Sequence, residues 1–309
     1  LARLTLPAIQ QVPGPPQGVH GPIRFGAVGI RELEAEPEMA TAVIALTLKE
    51  EADTVDWMHQ EMVSGAALPL AEAEAVVRSM SLAMHGDQAV VLPLLQLRRF
   101  DEYTTTHSLN VCVLAMALAE WVGLGARDVR SFGVAGLLHD IGKTKIPTEI
   151  LNKPGRLTPE EREAMNRHPV EGARIIVASE ENLDLAAVVA YEHHIILNGG
   201  GYPRFEYPRE VHQASKMVHV CDVYDALRTN RPYRGAWPSQ KVLDYVEERA
   251  GGEFDAEIAR SFLKMMREWE PRHATADAAL PVPASAAPAP PPGPEGGVPA
   301  TSSSATAQG

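Results

Sequence analysis

Apolar residues recur at helical spacing along most of this chain. Over 37–64, Met39, Val43, Leu46, Leu48, Val55 and Met58 form an approximate stripe that predicts a helix. The pattern predicts a second helix near 70–84. It predicts a third near 87–99, bent at Pro93 because proline removes a backbone donor. No strand-type alternation persists through this part. From 101 onward the period sharpens. Residues 103–122 carry Leu109, Val113, Met116 and Ala117 on one face, and Gly123 and Gly125 stop that helix. The next helix, 127–140, ends in His139-Asp140. Thr158-Pro159-Glu160-Glu161 is a capping box with proline at the first helical position, and His168-Pro169 opens the following helix in a similar way. A helix over 183–194 ends at His193-His194, and Asn198-Gly199-Gly200-Gly201-Tyr202-Pro203 must be a loop. Helices resume near 213–229, 238–250 and 254–268. The expected fold class is all-α.

Composition divides the chain further. Residues 1–35 hold Pro13, Pro15, Pro16 and Pro22 without a sustained period and are expected to be a loose extension. Residues 36–84 form a small helical region, 85–270 the main helical domain, and 271–309 a tail of Ala, Pro, Ser, Gly and Thr. Such a tail cannot bury enough apolar surface to offset its ordering entropy and is expected to be disordered. The net charge of −12 disfavours a nucleic-acid polymer as partner. A small anionic ligand stays compatible, because metal ions and a few cationic side chains reverse the local field. Cys112 and Cys221 lie in apolar helical stretches, which suits buried thiols in a reducing, cytoplasmic setting. No run approaches the ~20 apolar residues of a membrane helix, and no secretory signal is visible. The chain begins at Leu1 rather than Met, which weakens that last point.

The candidate chemistry lies in an ordered series: His107, His139-Asp140, His168, His193-His194 and Asp222. Aspartate and imidazole without thiolate suit iron, manganese or zinc. The set points to hydrolysis by a metal-activated water. Adjacent residues leave a regular helix about 100° apart, so each pair reaches one site only where its helix ends.

These residues carry a family resemblance. His139-Asp140-Ile141-Gly142-Lys143, Leu151-Asn152-Lys153-Pro154-Gly155, His168-Pro169, His193-His194, Gly201-Tyr202-Pro203, Asp222-Val223-Tyr224-Asp225-Ala226-Leu227 and Arg231-Pro232-Tyr233-Arg234 resemble the HD-GYP family over roughly residues 85–265. That family belongs to the HD hydrolase superfamily. Its members are helical, metal-dependent phosphodiesterases that cleave the bacterial second messenger cyclic di-GMP. The resemblance implies that His107, His139, Asp140 and Asp222 hold one metal. Asp140 bridges to a second, held by His168, His193 and His194, and a bridging water becomes the hydroxide nucleophile. It implies two divalent ions, iron or manganese. Lys143 is placed on the scissile phosphate, with Arg231 and Arg234 on phosphate oxygens and Tyr202 either stacked on guanine or anchoring its loop. The linear dinucleotide pGpG is the implied product, with GMP as a further one. A homodimer or an upstream sensory module is a further partner to consider.

Two departures qualify this. A third-metal glutamate found in some members is replaced by Tyr103, with Glu102 beside it pointing elsewhere, which favours two metals. Ile195, Ile196 and Asn198 stand where the family has Glu, Arg and Asp, which is expected to weaken the hold on substrate. Three classes therefore stay in play: a cyclic di-GMP phosphodiesterase, a weakly active sensor or docking module, and an HD-type hydrolase of another phosphate ester. His219 is expected to be a packed core histidine. Asp225 is either support for a metal ligand or a plain helix–helix hydrogen bond. His20, His59, His85, His212 and His273 are expected at the surface, and Arg167 and Arg204 in solvent.

Overall fold

The structure, a computed structural model, describes residues 37–86, 103–179, 183–198, 200–204, 209–229 and 235–277. The N-terminal extension, the helix expected at 87–99, the tail beyond 277, and Arg231 and Arg234 lie outside the described residues. So do the side chains of Glu102 and Tyr103.

Every extended element among the described residues is a helix. In chain order they are α1 (Pro37–Ser64), α2 (Leu70–Gly86), α3 (Tyr103–Trp121), α4 (Ala126–Leu138), a 3-10 helix (Ile141–Lys145), α5 (Thr148–Leu151), α6 (Pro159–Met165), α7 (His168–Ala178), α8 (Asp184–Glu192), α9 (Gln213–Arg228), α10 (Ser239–Glu248) and α11 (Ala256–Asp277). The capping box forms as expected, with Thr158 and Glu161 exchanging side-chain and backbone hydrogen bonds. The last helix continues past 271, where a structureless tail was expected to begin.

The hub is α3. Its residues from Val111 to Ala119 are buried on every side, which is why its apolar residues fill the whole circumference rather than a stripe. Helices α1, α2, α4, α9 and α11 pack around it. The crossing with α4 is close because Gly136 has no side chain: a Cβ there would sit 2.9 Å from the Val111 carbonyl oxygen and 3.0 Å from Cys112 Cα. On α10, only Val242, Leu243 and Val246 are buried, and the opposite face is solvated. The helices of the 36–84 region share the same core. Val55, Met58, Val76 and Met80 are at most 1% exposed and join the cluster built on α3 and α4. Each such burial contributes ~1.5–3 kcal/mol, so α1 and α2 are integral to the bundle that carries the site. Both cysteines are buried free thiols, and burial raises their pKa, so neither is poised as a nucleophile.

Candidate metal centre

Helix ends build the site. Helix α4 stops at Leu138; His139 is still helical, and Asp140 turns out of the helix (φ −101°, ψ 7°) into the 3-10 segment. That exit lets two adjacent side chains face one place. Helix α8 stops at Glu192 in the same manner, before His193-His194. His168 is the first residue of α7, while His107 and Asp222 come from the interiors of α3 and α9. All seven expected ligands converge.

The Asp140 carboxylate divides its two oxygens between two groups. Oδ1 faces His168 Nε2 at 3.2 Å and His193 Nε2 at 3.7 Å. Oδ2 faces His139 Nε2 at 3.3 Å and His107 Nε2 at 3.6 Å. His194 closes the first group, with its ligand atom within 4.8 Å of those of Asp140, His168 and His193. Asp222 joins the second, its Oδ1 lying 3.1 Å from His107 Nε2 and 4.0 Å from His139 Nε2. The Lys143 ammonium is paired directly with Asp140 Oδ2.

The opposite ring nitrogens set the tautomers. His139 Nδ1 donates to the Gly136 carbonyl at 2.7 Å, His168 Nδ1 to Met165 at 2.8 Å, and His193 Nδ1 to Ala190 at 2.9 Å. Each Nε2 is then a bare lone pair. His168 and His193 point theirs at one another across 3.4 Å and at an acceptor oxygen of Asp140. His139 Nε2 and Asp140 Oδ1 are buried without a hydrogen-bond donor. Lone pairs aimed at lone pairs in a dry site cost free energy unless a cation lies between them. The residues therefore fit divalent ions on both sides of Asp140.

Electrostatics agree. Burial works against the Asp140 charge, but Lys143 and the imidazoles around it hold the carboxyl well below the usual range. Asp222 is likewise held low against burial, chiefly by His107. Burial lowers the pKa of His168 and, together with His193 and His168, that of His194, which keeps both neutral as ligands must be. His107 goes the other way. Burial disfavours its charge, but Asp222 and Asp225 outweigh it and push the pKa from 6.5 up to about 9. In the metal-free chain that pairing contributes stability fully present below pH ~6.5 and lost as pH rises through about 9. Chelator-treated protein is expected to lose Tm between about pH 7 and about 9.5 through this group. A Tm flat across that window contradicts it. Metal binding needs the neutral ring and should release the same proton.

Asp225 supports a candidate ligand. Its Oδ2 accepts from His107 Nδ1 at 2.7 Å, and its Oδ1 accepts from Asn110 Nδ2 at 2.7 Å. Asp225→Ala should free the His107 ring, leave Asn110 unpaired and lower metal affinity by roughly 10–100-fold. Chelator competition measures this, and unchanged affinity would reduce Asp225 to a packing role.

His219 is a packed core histidine, as expected, and other residues take places the sequence did not disclose. His219 donates from Nδ1 to the His193 carbonyl at 2.7 Å and packs on Phe254, so it steadies a ligand's backbone rather than joining the ligands. Buried Glu192 accepts from His212 N and Ser215 Oγ and pairs with Arg209, tying the end of the glycine loop to α8 and α9. His59 corrects the expectation of a surface residue. It is half-buried, burial lowers its pKa, and the charges of Asp140 and Lys143 act on it. Helix α1 meets the 3-10 helix here, and Lys145 Nζ donates to the Met62 carbonyl at 3.3 Å. Arg167 and Arg204 are exposed, as expected.

The altered loop has its own anchors. Tyr202 is buried, its ring tilted against His194 with centroids 4.6 Å apart, so it acts as a loop anchor with one face already packed on a ligand. Asn198 Oδ1 accepts from Gly200 N at 2.9 Å, the same bond a carboxylate would make. Ile196 is 6% exposed, so it is a buried apolar anchor rather than a lost solvent contact. Ile196→Arg, the family residue, should therefore destabilise the chain by about 1–3 kcal/mol, the cost of burying an ill-paired polar group. Urea unfolding checks this, and an unchanged or raised midpoint would show that the guanidinium finds a partner.

The helical bundle thus brings two imidazole–carboxylate groups together on either side of Asp140, an arrangement that fits divalent metal ions. The HD domain family matches residues 89–258. The chain belongs to this family, in its HD-GYP branch. A cyclic di-GMP phosphodiesterase of Pseudomonas aeruginosa is 38% identical over 207 residues, covering 67% of this chain and 50% of its own length. One from Thermotoga maritima is 38% identical over 169 residues, 54% of this chain and 46% of that protein. A 3'3'-cGAMP-specific phosphodiesterase of Vibrio cholerae is 32% identical over 159 residues, 51% and 37% respectively. The chain thus spans about half or less of the length of these relatives. An HD-GYP-type protein from Bdellovibrio bacteriovorus shares the fold, with a TM-score of 0.60 at 14% identity over 76% of this chain and 74% of that one. No helix among the described residues is long and apolar enough to cross a membrane.

Proposed function

We propose that this chain is a metal-dependent phosphodiesterase that hydrolyses cyclic di-GMP to pGpG, with GMP as a further product. The observation that carries the reading is the Asp140 carboxylate, with one oxygen turned to each histidine group and the Lys143 ammonium beside it. Bound divalent cations supply charge stabilisation at the phosphate and a water nucleophile at neutral pH. His107, His139, Asp140 and Asp222 would hold one, and Asp140, His168, His193 and His194 the other. Iron or manganese suits this imidazole–carboxylate set. Lys143 is on hand to pair with a phosphate oxygen. Arg231 and Arg234 are proposed as guanidinium partners to the other oxygens. The buried tautomer-fixing bonds keep the imidazoles oriented, so little reorganisation accompanies reaction. Residues 85–270 are proposed as the catalytic domain, with α1 and α2, which share its core, proposed also to carry regulation from a sensory module or a second copy. The buried, unpaired thiols are consistent with a reducing cytoplasm.

One observation favours a second substrate. The loop after His194 carries Ile195 and Ile196, and relatives of comparable identity are named for 3'3'-cGAMP. The test is anaerobic preparation with Fe(II) or Mn(II), metal analysis, and turnover of both cyclic dinucleotides followed by chromatography. About two ions per chain and pGpG from cyclic di-GMP are expected. Zero ions or three well-occupied sites would overturn the site. Two ions with no turnover of either substrate would favour a sensor.

A further inference from the structure

A hollow lies away from the metal centre, between α2, α4 and the start of α8. Its volume is about 250 Å³. Arg78, Arg127 and Arg130 line it, with Glu74 and Ser131, over apolar walls that include Val77, Val134 and Leu185. None of the three arginines has an ion-pair partner among the described residues, although Glu74 stands one helical turn before Arg78. Elsewhere on the bundle, Arg167, Arg174, Arg209, Arg249, Arg260 and Arg267 each meet a carboxylate. Arg78, Arg127 and Arg130 are all exposed, and among the described residues they gather around one hollow without a carboxylate partner, in a chain of net charge −12. The first turn of α8 also opens here, and its N-cap, Leu183, offers no side-chain cap to the backbone amides.

We propose that this cavity binds a small phosphate-bearing ligand of the size class of a nucleoside monophosphate. Guanidinium forks match phosphate oxygens in pairs, and uncapped amides at a helix start add donors for the same anion. The apolar walls accept a flat or carbon-rich portion, and Glu74 accepts a hydrogen bond from a hydroxyl or N–H on it. The volume lies just below the ~300–1,000 Å³ usual for ligand pockets, which fits one phosphate with one compact group and excludes a cyclic dinucleotide. The site is therefore distinct from that of the proposed substrate. Helix α8 runs from this cavity to His193-His194, a span of roughly 13 Å at 1.5 Å per residue.

The test is calorimetric titration of the full chain carrying Asp140→Ala, which removes the metal centre as a rival phosphate site. The probes are GMP, inorganic phosphate and guanosine. GMP is expected to bind, inorganic phosphate more weakly, and guanosine not measurably. Adding Arg127→Ala and Arg130→Ala should weaken GMP by at least about tenfold, the scale of one or two charge-assisted hydrogen bonds. In the metal-loaded parent chain, the same two arginine substitutions should leave turnover at saturating cyclic dinucleotide within about twofold, so this arm separates the cavity from the substrate site. Absence of GMP binding at millimolar concentration, or binding indifferent to both arginines, overturns the proposal.

Discussion

Asp140→Ala is expected to empty both sides of the metal centre and to lower turnover by more than about 10³-fold, beyond what loss of a single electrostatic donor costs. The reason is geometric. Oδ1 is the oxygen that His168 and His193 face, and Oδ2 is the one that His139 and His107 face. Alanine removes both at once. The fold should persist, because the core around α3 is built of buried aliphatic residues and does not depend on a metal for closure. His168→Ala is the control: it strips one group and leaves His107, His139, Asp140 and Asp222 in place. Metal analysis should give near zero ions per chain for Asp140→Ala and about one for His168→Ala. Far-UV circular dichroism should match the parent in both. Equal metal content in the two variants would mean that Asp140 is not the bridge.

What the sequence disclosed follows from what each role demands. A candidate metal ligand must be a particular residue type, so His107, His139, Asp140, His168, His193, His194 and Asp222 could be singled out from the sequence, and the fold brings them together. Helices announced themselves through apolar period and caps, as with Thr158-Pro159. The support around these residues was legible only in part: Asp225 was open between two roles, because its partners depend on contacts between distant segments. Asp225 reaches His107 across 118 residues and Asn110 across 115, and no local pattern marks either pairing. His59 sits on a helix whose stripe looks ordinary, and only the packing of α1 against the 3-10 helix brings it near Asp140. Ile196 looked like a lost polar contact because the family pattern was the reference; its burial shows an apolar side chain anchoring this loop.

Gly142→Ala tests the least visible of these supports. Gly142 follows Asp140 by two residues and lies in the 3-10 helix that packs on the start of α7. A Cβ there would meet the His168 carbonyl oxygen at 1.9 Å and Gly172 N at 2.5 Å. Both are backbone atoms, so no side chain can swing aside, and the turn and α7 must separate. That motion carries His168 away from Asp140 Oδ1, now 3.2 Å distant. Overpacking of this kind costs about 1–3 kcal/mol, occasionally more, and the displaced imidazole should weaken the His168–His193–His194 ion far more than its neighbour. Gly172→Ala is the matched control. Its Cβ would meet Gly142 N at 3.2 Å and Ala190 Cβ at 3.6 Å, a tight contact that small shifts can absorb. The expected result is a clear drop in Tm and loss of about one ion per chain for Gly142→Ala, with a smaller drop and full metal content for Gly172→Ala. A Gly142→Ala chain that melts with the parent and keeps both ions would show that the approach of the 3-10 helix to α7 is not what holds His168 on the bridging carboxylate.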